Sequence, residues 1–226
     1  MTPALLGHPN FERLQMGDEH RAGEQAFTAI SHQACPPLAE TLLAVVAAWR
    51  PVDHTDLDGQ LDQLARGLFG AGSGGRERAG ALAMLLTREF RTDPRPVDGL
   101  WLDEVLATRR GHAVLIAAVA AEVGRRAGWE VTVCSTPTAW YAGLLDDSVL
   151  WLIDPTGVAE GVPTMVRRHC AHELAYVVLT GLAERFASPR DRDHARALRD
   201  RLALFEAPER PGDALLGALW NGSSPR

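Results

Sequence analysis

Apolar residues recur at helical spacing from about residue 36 to about residue 127, and the pattern then changes to that of strands. A helix is predicted over residues 38–49, because Pro36 and Pro37 favour a helix start and Pro51 ends it. The nearly unbroken apolar run at 113–127 predicts a helix that is buried on all sides. Further helices are predicted at residues 57–68, 76–90 and 100–107.

Strand patterns follow the buried helix. Residues 130–134, 140–144 and 149–153 predict three strands, with Pro137 between the first two and a hairpin turn at 146–148. A buried helix followed by antiparallel strands indicates the α+β class. Helices return at 173–187 and from Ser188 to about Phe205, as a helical hairpin of the tetratricopeptide type.

These patterns divide the chain into five parts. Residues 1–35 are predicted to be a loose extension with a short helix near 21–30, and 36–91 a helical region. The core is expected at 92–170, the helical hairpin at 171–220 and a tail at 221–226.

Charge and composition exclude several classes of function. The 226-residue chain has a net charge of -6, whereas general nucleic-acid binding favours a basic face. Its 23 basic residues are all arginine, which excludes a Schiff-base lysine and a P-loop lysine. No apolar stretch approaches the ~20 residues of a membrane span, and no signal peptide is recognised. With three cysteines, an odd number, a reduced cytoplasm is the expected compartment.

Two segments carry a family resemblance. Residues 102–111, LDEVLATRRG, match the pattern L-x-x-V-L-x-x-R-x-G, and residues 151–157, WLIDPTG, match a hydrophobic-Asp-Pro-x-x-Gly element. Both patterns, and the order of elements over about 36–210, resemble the SirB1-type transglutaminase-like proteins. The resemblance implies a papain-related core, a buried helix packed on a small antiparallel sheet, flanked by helices at both ends.

The wider transglutaminase-like class works with Cys, His and Asp, and this chain departs from that set. The cysteine belongs at the start of the buried helix, where the helix dipole would lower its pKa, but the sequence there reads Gly111-His112-Ala113. The strand histidine would align with Thr138 or Ala139. Only the aspartate, Asp154, is present, so the resemblance implies that classical thiol chemistry has been lost.

Three residues are candidates for residual chemistry. Cys134 is either a relocated nucleophile with His112 as its base or a small buried hydrophobe. A helix N-terminus disfavours a protonated imidazole, so His112 is expected to be neutral, as a base or as a plain first-turn residue. Asp154 is either a site residue or a side chain that caps a turn.

Other residues are candidates for binding. Trp140 and Tyr141 either line a groove or belong to the core, and Arg110 either contributes to an anion- or partner-binding surface or is solvated. His169 and His172 would share a helix face, but a zinc site needs three or four ligands and no second pair has matching spacing. No metal and no cofactor is therefore expected.

Two functions remain open. The first is a non-enzymatic module that binds a protein or peptide, without nucleic acid or membrane, for regulation or assembly. The second is a hydrolase or acyltransferase on an amide, ester or thioester with a rearranged Cys/His/Asp site. Fold resemblance alone does not choose between them, because function depends on the site.

Overall fold

The computed structural model describes residues 18–34, 36–93, 97–155, 166–186 and 192–205. The α-helices are α1 (Asp18–Ser31), α2 (Leu38–Ala47), α3 (His54–Arg66), α4 (Gly75–Glu89), α5 (Leu102–Thr108), α6 (Ala113–Arg126), α7 (Ala171–Arg185) and α8 (Arg192–Leu202), with a 3-10 helix at Val97–Leu100. The strands are β1 (Arg91–Thr92), β2 (Arg110–Gly111), β3 (Val131–Ser135), β4 (Trp140–Asp146), β5 (Val149–Ile153) and β6 (Arg167–His169).

Four strands form an antiparallel sheet in the order β5-β4-β3-β6. Helix α6 packs against β3 and β4, and Gly124 allows the close approach because a Cβ there would lie 2.5 Å from Val131 Cγ2. We call the face of the sheet toward α6 the inner face. Because side chains alternate along a strand, this face carries Val131, Val133 and Ser135 of β3. The predicted α+β fold with a buried helix on a small antiparallel sheet is confirmed.

Helix α6 is as buried as its sequence predicts. Residues 114–121 are each at most 2% exposed, and Gly128 with φ +82° follows the helix in the conformation that glycine favours. One cluster of buried hydrophobic residues joins the N-terminal helices, the sheet and the C-terminal helices. This single cluster crosses the predicted boundaries near 91 and 170.

Within the predicted extension at 1–35, the structure describes helix α1, close to the short helix predicted near 21–30, and this helix packs on the rest of the protein. Phe27 is 1% exposed in the core cluster and meets Phe205 edge to face. Arg201 of α8 also fastens this region, since it donates hydrogen bonds to Glu24 Oε1 (2.7 Å) and to the carbonyl of Ala48 (2.9 Å). The apolar positions of α1 are few, which explains why the sequence pattern understates its packing.

A short parallel pair, β1 with β2, was absent from the sequence prediction. Arg91 N–H donates to the carbonyl of Arg109, and Asp93 N–H donates to that of Gly111 (2.8 Å). Strand β6 was also missed, because two or three residues are too few to show a strand period. The predicted start of the last helix at Ser188 lies outside the described residues. No helix within the described ranges is long and apolar enough to cross a membrane.

Candidate functional site

The signature at 102–111 packs on itself and on the end of α4. Val105 and Leu106 are fully buried, and a Cβ on Gly111 would lie 2.4 Å from Val105 Cγ2, so glycine is required there. Arg109 adopts φ 58° at the end of α5 and holds its guanidinium 5.4 Å from the centre of the Phe90 ring. These contacts fix the position of the segment that leads into α6. They have a structural role and do not form a catalytic site.

His112 caps the N-terminus of α6, where the family's cysteine is expected. The Nδ1 of its side chain accepts a hydrogen bond from the backbone N–H of Val114 (3.3 Å), and the backbone N–H of His112 donates to the carbonyl of Gly99 (2.8 Å). Burial lowers the pKa of His112 to about 4, and the positive charge of Arg185 acts in the same direction. The imidazole is therefore neutral near pH 7, and its Nδ1 is already engaged as a helix cap.

The position expected for the family's histidine lies in a tight turn between β3 and β4. Thr136 Oγ1 accepts hydrogen bonds from the N–H groups of Ala139 (3.1 Å) and Thr138 (3.4 Å), and the Thr136 N–H donates to the Ala139 carbonyl (2.9 Å). Neither Thr138 nor Ala139 has a side chain that can take a proton as a base. The turn is thus stabilised by the side-chain hydroxyl of Thr136 and contains no candidate base.

Cys134 faces away from α6, on the outer face of the sheet. Its Sγ lies 2.6 Å from where a Cβ of Gly143 would stand, and the register pairs it with Tyr141 on β4 and Arg168 on β6. Asp154, half-buried, directly follows Ile153, the partner of Ala142, and so extends this row beyond β5. Cys134, Tyr141 and Asp154 thus share one row, whereas His112 lies at the start of α6 on the inner side.

The environment of Cys134 disfavours a nucleophile. The side chain is fully buried, and burial raises its thiol pKa to about 11, although Arg168 acts in the opposite direction. A thiol with this pKa is uncharged at neutral pH, and only the thiolate is nucleophilic.

The three predicted binding residues do not form one surface. Trp140 is 3% exposed on the inner face, Tyr141 is half-buried on the outer face, and Arg110 is exposed in β2, where it pairs with Asp93 at 3.3 Å. Trp140 therefore belongs to the core. Of the three residues, Tyr141 alone lies on the outer face of the sheet, where it could contact a partner.

His169 and His172 do not share a helix face, which corrects the helical spacing assumed for them. His169 lies in β6, and α7 begins only at Ala171. His172 Nε2 lies 3.1 Å from the carbonyl oxygen of Ile30. Within the part of the chain that the structure describes, no group of three or more His, Cys, Asp or Glu residues is arranged to hold a metal ion.

A second cluster, missed by the sequence analysis, lies on the inner face at the same end of the sheet as Ala139. Ser135 Oγ is 2.7 Å from His169 Nε2, and the other ring nitrogen, Nδ1, is 3.4 Å from Glu173 Oε2. Trp140, opposite Ser135 in the register, holds its ring 5.0 Å from the imidazole. A single serine in a strand has no motif spacing that would mark it in the sequence. Only the pairing of β3 with β6 shows that Ser135 lies beside His169.

Charges around His169 act in opposite directions. Burial lowers its pKa to about 4, the Glu173 carboxylate raises it, and Arg167 lowers it. Glu173 is itself fixed at the first turn of α7, where it accepts the Cys170 N–H (3.1 Å) and pairs with Arg167. At neutral pH the imidazole is neutral, with a carboxylate facing Nδ1 and a hydroxyl facing Nε2.

Comparisons with known proteins agree with this architecture. A family model described as the transglutaminase-like superfamily matches residues 56–177, which is more than half of the 226-residue chain. Neither the search of curated proteins nor that of solved structures found a match. The matched segment contains α6, the hairpin of β3 and β4, and the Asp154 position. This chain therefore belongs to the transglutaminase-like superfamily.

Proposed function

We propose that this chain is a SirB1-type member of the superfamily that has lost the family's thiol chemistry and acts by binding a protein or peptide. The proposal rests on which residues occupy the positions of the family's catalytic cysteine and histidine, and on the burial of Cys134. His112 stands at the helix start, Ala139 lies in the histidine turn, and Cys134 is buried with a raised pKa. A cytoplasmic protein with free thiols at Cys134 and Cys170 accords with this function.

The outer sheet face supplies a surface for the partner. Tyr141, Leu145, Leu150 and Leu152 occupy this face by alternation, and all four are half-buried. None belongs to the core cluster or to the residues packed against it. Apolar side chains with a tyrosine among them resemble the centre of a protein interface, and Arg168 at the edge adds a polar rim.

Photo-crosslinking tests this surface directly. A photoreactive phenylalanine analogue replaces Leu152 in cells that naturally make the protein, and a matched variant carries it at Met84 of α4, which is 72% exposed. We expect a discrete crosslinked species from position 152 that is absent from position 84 and is lost when Leu150→Glu is added. Equal species from both positions, or none from position 152, would contradict the proposal.

The alternative function, thiol-type acyl transfer, depends on Cys134 with Asp154 and a base. We expect Cys134 to react slowly with iodoacetamide in a Cys35→Ser, Cys170→Ser variant. A pKa of about 11 gives about 300-fold less thiolate at pH 7 than an ordinary thiol, whose pKa is about 8.5. The measurement is the alkylation rate from pH 5 to 9, with free cysteine as the reference.

Fast alkylation that persists below pH 7 would restore the enzyme alternative, because it requires a stabilised thiolate. Turnover of an amide or ester substrate that is abolished by Asp154→Asn would likewise argue against a binding-only function.

A further inference from the structure

A serine, a histidine and a glutamate meet on the inner face in the order that nucleophilic catalysis uses. The Oγ of Ser135 is 2.7 Å from Nε2 of His169, within hydrogen-bonding distance, and the carboxylate of Glu173 lies 3.4 Å from Nδ1. None of the three occupies a position of the family's Cys, His and Asp. The cluster is also separate from the outer sheet face, because strand alternation places the two on opposite sides.

The carboxylate determines the direction of the hydrogen bond. A neutral imidazole carries one proton, and the negative charge of Glu173 favours its location on Nδ1. Nε2 then offers a lone pair to the Ser135 hydroxyl, which donates. Because Glu173 is held by the Cys170 N–H and by Arg167, its orientation is fixed before any ligand binds.

Two buried donors in the cluster lack hydrogen-bond acceptors among the described residues. The indole Nε1 of Trp140, a residue 3% exposed, forms no hydrogen bond. His169 Nδ1 also lacks a well-formed hydrogen bond, since the nearest oxygen of Glu173 is 3.4 Å away. A buried N–H without an acceptor is unfavourable, so a bound ligand that brings an oxygen to Trp140 Nε1 would be stabilised by the hydrogen bond it accepts.

We propose that Ser135 is an acyl-accepting nucleophile, with His169 as its general base and Glu173 as a positioning residue, for a small ester or thioester. Ser135 Oγ forms a bond to the carbonyl carbon while its proton passes to His169 Nε2. The bond from that carbon to the leaving oxygen or sulfur breaks, and the proton leaves with the departing group. Water then attacks the carbonyl carbon of the acyl-serine while His169 Nε2 takes one of its protons. The bond from that carbon to Ser135 Oγ breaks, His169 returns the proton to Oγ, and the carboxylic acid and free Ser135 are released.

Burial limits the substrate. Ser135 is 6% exposed and the His169 side chain 8%, so the proposal is confined to a small acyl group and excludes a peptide. The inference therefore goes beyond the proposed binding function and does not depend on it.

The test uses 4-nitrophenyl acetate, a small activated ester, on the full chain, with intact mass and peptide mapping to locate the acetyl group. We expect acetylation at Ser135, its loss in Ser135→Ala, and a fall of about 100-fold or more in His169→Gln. Ser73→Ala, at an exposed serine before α4, is the matched control and should leave the rate unchanged. If Ser135→Ala does not fold, Ser135→Cys serves instead, and the acetyl group should move to the new thiol.

The pH profile separates this chemistry from background acylation. The charged groups that act on His169 are Glu173 of α7 and Arg167 of β6, and the pKa of about 4 predicts a rate that is flat from pH 5 to 8. Hydroxide-driven acylation would instead rise tenfold per pH unit. For Glu173→Gln, we expect the imidazole titration, followed by NMR, to move to lower pH. No acetyl group on Ser135, or an equal rate in His169→Gln, would overturn the proposal.

Discussion

Replacing Gly23 with alanine should destabilise the fold by about 3 kcal/mol, the upper end of the usual overpacking cost. A Cβ at this position of α1 would lie 2.0 Å from the carbonyl oxygen of Ala47 at the end of α2. A backbone oxygen cannot rotate away as a side chain can, so one helix must shift, and Phe27 would lose its packing with it. The measurement is the free energy of unfolding in urea.

Gly59→Ala is the matched control. Gly59 lies inside α3, and a Cβ there meets nothing within 4 Å. Alanine should therefore stabilise the protein by about 0.5–1 kcal/mol, since glycine is the poorer helix former. If Gly23→Ala unfolds like the wild type, α1 does not dock on α2 as described.

Acid should destabilise the protein well before its carboxylates protonate, and His112 is a main cause. Burial depresses its pKa in the folded state from 6.5 to about 4. Between these values the unfolded state binds more protons, so stability is greatest above pH 6.5 and is lost as pH falls toward 4. From pH 7 to pH 5 this one group should cost about 2 kcal/mol.

His112→Asn isolates the contribution of this histidine. Asparagine keeps a side-chain acceptor for the helix cap but does not titrate. His169 is depressed in the same direction and remains in both proteins, so the comparison reports His112 alone. We expect the variant to lose about 2 kcal/mol less than the wild type between pH 7 and pH 5 in urea unfolding. If the wild type and the variant lose the same free energy of unfolding between pH 7 and pH 5, the pKa of His112 is not lowered in the folded state.

Much of the fold followed from the sequence because its elements are long or strongly patterned. The apolar run of α6 and the alternation of β4 and β5 identified the buried helix and the hairpin. Strands β1, β2 and β6 were missed because each has only two or three residues. For α1, the docking surface depends on the absence of a side chain at Gly23, which a hydrophobic pattern does not register.

The candidate site was less accessible to sequence reasoning. The signature LDEVLATRRG pointed to the transglutaminase-like superfamily, yet its buried residues pack on one another, so it indicates the fold rather than a reaction. Ser135 and His169 are 34 residues apart and meet only because β6 returns beside β3. Such a pair has no local sequence spacing that could predict it. The neighbouring Cys134, a more obvious candidate nucleophile in the sequence, faces the other side of the sheet.

Adjacent positions of β3 thus carry a thiol and a hydroxyl on opposite faces, and only one of them can meet His169. A shift of β3 by a single residue against β6 would exchange them, since every side chain changes face when a strand slips by one. The turn from Thr136 to Ala139, closed by the Thr136 hydroxyl, fixes β3 against β4, so β3 cannot slip against β6 without also losing its register with β4. One threonine side chain therefore contributes to the choice between oxygen and sulfur at the histidine.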